Sequence, residues 1–214
     1  MEDNKVILYH GSEKILKKPE FGKGEINNDY GQGFYCTKNK GLAGEWAVIW
    51  TEKDGCINEY SFDYTDLKVL YLNLLPVENW VAVLAANRRG SFDSVIKTRM
   101  IKFIDKFGLD ILPYDVIEGW RADDAFFSYI DDFFSYGLSL ENLKLVLNFG
   151  GLGNQICLKS QKAFNIIEFT TYYPALVSRF LKSAKDRDFL AKKQYKELER
   201  KAVGIILMDM IGRD

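Results

Sequence analysis

Strand-like runs toward both ends of the chain, around a middle that reads as helix after helix, confine this sequence to the α+β class. The first run, Lys5-Val6-Ile7-Leu8-Tyr9, reads as a buried strand ending in a turn at Tyr9-His10-Gly11-Ser12. A polar loop rich in Gly, Asn, Asp and Lys covers residues 17–33, and Phe34-Tyr35-Cys36-Thr37 follows as a short strand. Residues 38–52 have helical spacing, with Leu42, Trp46 and Ile49 in one stripe. Residues 56–63 read as a strand with Cys56, Asn58, Tyr60 and Phe62 on one face, and residues 67–72 as a second strand close enough to pair with it.

Helices are expected over residues 77–87 behind Pro76, and over 94–107, where Met100, Ile101, Ile104 and Phe107 are buried and Gly108 ends the element. A short strand over 113–119 leads to an aromatic helix ending at Phe134, with Phe126, Ile130, Phe133 and Phe134 as core. Ser139 caps a helix over 140–148. After the break Gly150-Gly151-Leu152-Gly153 come an alternating strand over 155–159, a helical turn over 160–164 and a strand over 166–172. Residues 186–207 read as a charged helix burying Phe189, Leu190, Tyr195, Leu198, Val203, Ile206 and, beyond it, Met210. No repeat, linker or composition break divides the chain, so a single domain over residues 1–214 is expected.

Composition excludes several function classes. With 29 basic and 30 acidic residues, the net charge of −1 gives no global field toward nucleic acid or anionic lipid. No apolar stretch approaches the roughly 20 residues of a membrane span, so no membrane partner is expected. The three cysteines are scattered, which argues against a disulfide framework or a metal cluster. Free thiols without an export signal lead to the expectation of a cytoplasmic protein. Neither a Gly-x-Ser-x-Gly elbow nor a phosphate-binding P-loop is present. His10 is the only histidine, so any imidazole chemistry has to occur at this strand end, where Gly11 and Ser12 let a ligand approach the backbone.

Two motifs extend that observation. Tyr9-His10-Gly11-Ser12 is followed by Gly31-Gln32-Gly33-Phe34-Tyr35, with Tyr35 25 residues after His10. The pair resembles the first two motifs of the diphtheria-toxin and poly-ADP-ribose-polymerase branch of the ADP-ribosyltransferases. The third motif of that branch lies on a late strand, and Asn154-Gln155-Ile156-Cys157-Leu158-Lys159-Ser160 fits the place, with Gln155 where the branch usually has glutamate. The whole chain resembles a bacterial family of uncharacterised proteins (domain of unknown function 3990) grouped with these transferases; Trp120-Arg121-Ala122-Asp123-Asp124 is a further point of likeness.

The resemblance implies a split antiparallel sheet core with flanking helices and a C-terminal helix. It also implies NAD as a substrate and transfer of ADP-ribose to a macromolecular acceptor, with no metal. On this reading His10 bonds a hydroxyl of the adenosine ribose, Gly11 offers its backbone to the nicotinamide carboxamide, and Tyr35, preceded by Gly33, stacks on the nicotinamide. Trp46, eleven residues after Tyr35, forms a second aromatic wall, unless it belongs to the buried stripe of its helix. Ser12 either orients a ribose or simply forms the turn.

Gln155 keeps the hydrogen bond of the expected glutamate and loses its charge. A slow enzyme, an enzyme that recruits another carboxylate, and a site that binds NAD without turnover all follow from that change. Asp123, Asp124 and Glu59 are the candidates for the missing charge, with Asp123 foremost. The plainer reading makes the aspartates helix N-terminal residues and Glu59 a solvent-facing strand position. A mono-ADP-ribosyltransferase leads, with an NAD glycohydrolase and an NAD- or ADP-ribose-binding pseudoenzyme as alternatives. The resemblance also suggests a toxin or defence component, whose partner would be an antitoxin. Asn87-Arg88-Arg89 is a candidate acceptor contact, against the plainer reading of a solvated helix end.

Overall fold

The computed structural model describes residues 5–88, 93–122, 124–135, 137–147, 151, 153–199 and 204–212. Its class is α+β, with two sheets and eight helices among the described residues. One sheet is antiparallel and three-stranded, in the order β1 (Lys5–Ser12), β3 (Gly55–Asp63), β7 (Glu168–Ala175). The other has four strands in the order β2 (Phe34–Cys36), β6 (Asn154–Leu158), β5 (Val116–Trp120), β4 (Val69–Tyr71). The sheets meet at a seam between β1 and the end of β2, where Tyr9 and Thr37 exchange backbone hydrogen bonds of 2.8 and 2.9 Å.

Side-chain alternation along each strand sorts the core into layers. Leu8, Tyr60 and Phe62 of the first sheet pack on Phe34, Cys36, Val116, Ile156 and Leu158 of the second. Tyr9 and Ile57, on the opposite face, lie under helix α1 (Lys40–Val48). Cys157 and Ile117, on the far face of the second sheet, meet a helical block of α2 (Val77–Asn87), α3 (Ser94–Phe107), α4 (Asp124–Phe134) and α5 (Leu140–Val146). Fully buried Trp80, Phe103, Phe133 and Phe134 fill this block, with Phe103 set edge-on to Phe133 and Phe134 at 5.6 and 5.5 Å. Short helix α6 (Gln161–Ile166) follows β6, and α7 (Val177–Glu199) and α8 (Leu207–Ile211) complete the chain.

Local signals account for the helix starts. Asn39 accepts from the backbone N–H groups of Gly41 and Leu42, Asp93 from Ile96, Ser139 from Asn142 and Ser160 from Ala163. Several expectations need correction. The first strand does not end at His10: it runs through Ser12, because His10, Gly11 and Ser12 stay in register with Asn58, Ile57 and Cys56. The run over 67–72 does not pair with β3; it contributes β4, which pairs in parallel with β5 in the other sheet. Strand β6 is buried rather than alternating, since it is a central strand covered on both faces.

In α3, Met100 and Phe103 are buried while Ile101 is exposed. The last long helix begins at Val177 and ends at Glu199. Its buried stripe is set by Ala184, Ala191 and Tyr195, leaving Phe189 and Leu190 exposed; Val203 and Phe126 lie outside the residues whose side chains are described. No helix among the described residues is long and apolar enough to cross a membrane.

Candidate functional site

At the seam between the sheets a cleft of about 570 Å³ opens, within the range of ligand pockets. It is lined by His10 and Gly11 from β1, Gly33 from the loop, Phe34 and Tyr35 from β2, Trp46 from α1, and Gln155 from β6. Lys23, Glu25, Asn28 and Asp29 of the loop line it too, together with Arg88, Arg121 and Ala122.

Gly11 sits where α1 crosses β1, and a Cβ there would come within 1.9 Å of Ala43 O. Its backbone polar groups face the seam. In an antiparallel ladder, alternate residues turn their N–H and C=O to the same edge. Tyr9 uses that edge to bond Thr37, so Gly11, two residues on, presents a donor and an acceptor where β1 passes beyond the bridge. His10 faces the other sheet, its ring 4.4 Å from that of Phe34. Its Nδ1 lies 2.7 Å from the carbonyl oxygen of Tyr35. A carbonyl only accepts, so Nδ1 carries the proton and Nε2 is the acceptor. Burial pushes the His10 pKa below its ordinary value, against the opposing pull of the Tyr35 carbonyl, which keeps the ring neutral.

Tyr35 is anchored at its hydroxyl, which donates to Gly31 O at 2.6 Å and accepts from Tyr30 N–H at 2.9 Å. Burial holds its pKa well above the ordinary value, so it stays a neutral phenol. Its ring stacks on that of Tyr30 at 6.3 Å. Tyr35→Phe keeps the ring but leaves the buried backbone groups of Tyr30 and Gly31 unpaired. We expect a loss of about 1–3 kcal/mol in denaturant unfolding, and an unchanged midpoint would show that the hydroxyl does not hold the loop.

Trp46 is half-buried on the cleft wall rather than in the stripe of its helix, which consists of Leu42, Ala43, Ala47 and Val48. The Arg121 guanidinium lies 4.9 Å from its ring. Its buried Nε1 has no hydrogen-bond partner among the described residues, leaving a donor for a ligand acceptor. Gly33 is required by packing, since a Cβ there would meet Cys157 Sγ at 2.4 Å.

Gln155 is 5% exposed, and its Nε2 donates to Asp29 Oδ2 at 2.5 Å and more weakly to Trp120 O at 3.4 Å. Both partners are acceptors, which fixes the amide orientation and leaves Oε1 as the free acceptor. Asp29 is the residue that sequence reasoning missed. It is 4% exposed, its Oδ2 also accepts from Ala122 N–H at 2.9 Å, and its Oδ1 lies 3.4 Å from Arg88 Nε. Burial raises its pKa, while Arg88, the Ala122 N–H, the Gln155 amide and Arg121 act to keep it ionised. Arg88 is therefore not a solvated helix end.

Other nominated residues fall elsewhere. Ser12 is a turn-forming serine: its hydroxyl donates to Lys14 O at 2.7 Å and accepts from Asn58 Nδ2 at 2.8 Å, away from the cleft. Glu59 lies on the α1 side of its sheet and accepts from the Tyr173 hydroxyl at 3.0 Å. Asp123 lies outside the described residues, and Asp124 opens α4. Burial pushes the Cys157 thiol up to about 12 and Cys36 well above its ordinary value, so neither is a thiolate nucleophile. Among the described residues no group of three or more His, Cys, Asp or Glu side chains could hold a metal.

Fold and site define an α+β protein with a cleft between two sheets, walled by aromatic and charged side chains. The chain belongs to the family described as "Protein of unknown function (DUF3990)", which matches residues 6–169. No curated protein and no solved structure matches it.

Proposed function

We propose that the protein is a mono-ADP-ribosyltransferase that cleaves NAD and transfers ADP-ribose to a macromolecular acceptor. The observation carrying this reading is that His10, Gly11, Gly33, Tyr35, Trp46 and Gln155, drawn from separate elements, line one cleft. Two sheets meeting at that cleft support the reading, since the resemblance implies a split antiparallel core, although β4 joins the second sheet in parallel with β5.

The chemistry breaks the bond between nicotinamide and its ribose, with positive charge developing on the sugar. Catalysis is then mainly orientation and electrostatics. The Gly11 N–H and C=O complement the two ends of a carboxamide. Tyr35 offers a flat face for the nicotinamide ring, with Trp46 as a second wall. Neutral His10 accepts a ribose hydroxyl at Nε2, and Gln155 Oε1 accepts one from the reacting ribose. Arg121 and Lys23 supply positive charge on the cleft wall for the diphosphate.

Incubation of the purified protein with NAD labelled in its adenosine moiety and a cell lysate tests the reading. Label on protein or nucleic acid is the expected result, and the labelled acceptor can then be isolated. Free ADP-ribose alone would make the protein a glycohydrolase. Binding without consumption would make it an NAD-binding pseudoenzyme, the second reading, which the amide at Gln155 favours. Absence of NAD binding would overturn the proposal. An antitoxin partner would be seen as a co-purifying protein whose presence suppresses labelling.

A further inference from the structure

We infer that Asp29 and Gln155 work as one unit, in which Gln155 presents the hydrogen-bond acceptor to the reacting sugar and Asp29 supplies the negative charge behind it. The catalytic part of this inference rests on the transferase reading. The charge pairing does not.

The residues touch at 2.5 Å, with the Gln155 amide donating to a carboxylate. A charge-assisted hydrogen bond of this kind draws electron density toward the amide oxygen and makes Oε1 a stronger acceptor. Asp29 is fixed for this task. Its Oδ2 is held by the Ala122 N–H, and Arg88 Nε lies 3.4 Å from its Oδ1. The second contact of Gln155 Nε2, to Trp120 O, prevents the amide from flipping. Asp29 is thus a positioning residue that acts through Gln155, and amide and carboxylate divide what a single glutamate would do.

A glutamate at position 155 would add a second carboxylate against Asp29. Two such groups at hydrogen-bonding distance share one proton, and the upper pKa of the pair rises. Arg88 and Arg121, the cations acting on Asp29, oppose that rise, so Gln155→Glu alone gains less than a full charge near neutral pH. Exchanging both residues, Asp29→Asn with Gln155→Glu, restores one carboxylate and one amide. The amide introduced at position 29 can donate to the carboxylate introduced at position 155 only by placing its NH2 group where Oδ2 stood, which gives up the Ala122 N–H contact that the same oxygen accepts.

The test compares wild type, Asp29→Asn, Gln155→Glu and the double variant in two measurements. One is NAD consumption as a function of pH; the other is titration of the side-chain carboxyls by carbon-13 NMR. We expect Asp29→Asn to lose on the order of a hundredfold in turnover, and the double variant to recover part of it. Gln155→Glu should show a pH profile displaced to higher pH and a carboxyl that retains its proton toward neutrality. That signal should be absent from wild type and the double variant.

A double variant no more active than Asp29→Asn, or carboxyls in Gln155→Glu that titrate independently, would overturn the inference. Should Asp29→Asn fail to fold, the double variant and the Gln155→Glu titration still decide it. A wild-type protein that consumes no NAD would refute the transferase reading instead, and the titration would then judge the pair alone.

Discussion

Gly11→Ala is expected to cost about 3 kcal/mol or more of stability, at the upper end of what overpacking does. The added Cβ would lie 1.9 Å from Ala43 O and 2.7 Å from Ala47 N. Both are backbone atoms of α1, so no rotamer change relieves the clash and the helix must lift off β1. Because α1 also carries Trp46, the cleft wall would move with it. Denaturant unfolding measures the loss, and a wild-type midpoint would contradict the packing of α1 on β1. The glycine that the proposed reading places at the ligand is thus independently required by a helix behind it.

On the NAD-binding reading proposed here, His10→Ala is expected to weaken NAD binding about tenfold to a hundredfold, the cost of one or two lost hydrogen bonds. The accompanying stability loss should be only about 1 kcal/mol, since the ring is half-buried and packs mainly on Phe34. Binding calorimetry beside unfolding separates the two effects, and unchanged affinity would remove His10 from the site.

The same residue sets a pH dependence. Its folded pKa lies below the ordinary value of 6.5 because of burial. As pH falls below about 6.5 the unfolded chain takes up a proton that the folded protein refuses. Stability should therefore be highest above that pH and decline as pH falls toward the folded pKa, with NAD affinity falling once Nε2 is protonated. As the chain's only histidine, His10 gives an unambiguous NMR titration; a midpoint at or above 6.5 would refute the argument.

Much of the fold was legible because local chemistry marks it. Helices α2 and α3 begin and end where expected, since Pro76, Asp93 and Gly108 are strong punctuation. The pairing of β4 was not legible. Adjacent strand-like runs suggest a hairpin, but here the free edge of β5 pairs with β4 from across the sequence. The start of α7 was missed because its buried contacts are small residues such as Ala184, which carry little hydrophobic signal beside exposed Phe189.

In the site, His10, Tyr35 and Gln155 stood out as motif residues. Asp29 did not, because in Asn27-Asn28-Asp29 an acidic side chain is fully explained by turn composition. Its closeness to Gln155, 126 residues away in sequence, exists only in the folded chain.

Strand β6 has a consequence for the order of synthesis. It lies between β2 and β5, yet it is the last of the four strands to leave the ribosome. Until Leu158 has emerged, a nascent chain holds β2 without a neighbour in its own sheet, and Asp29 without the amide it grips. Long-range closure of this kind is a late event in folding. The cleft is therefore assembled only after β6 has emerged, and fragments ending before β6 are expected to lack the NAD binding proposed for it.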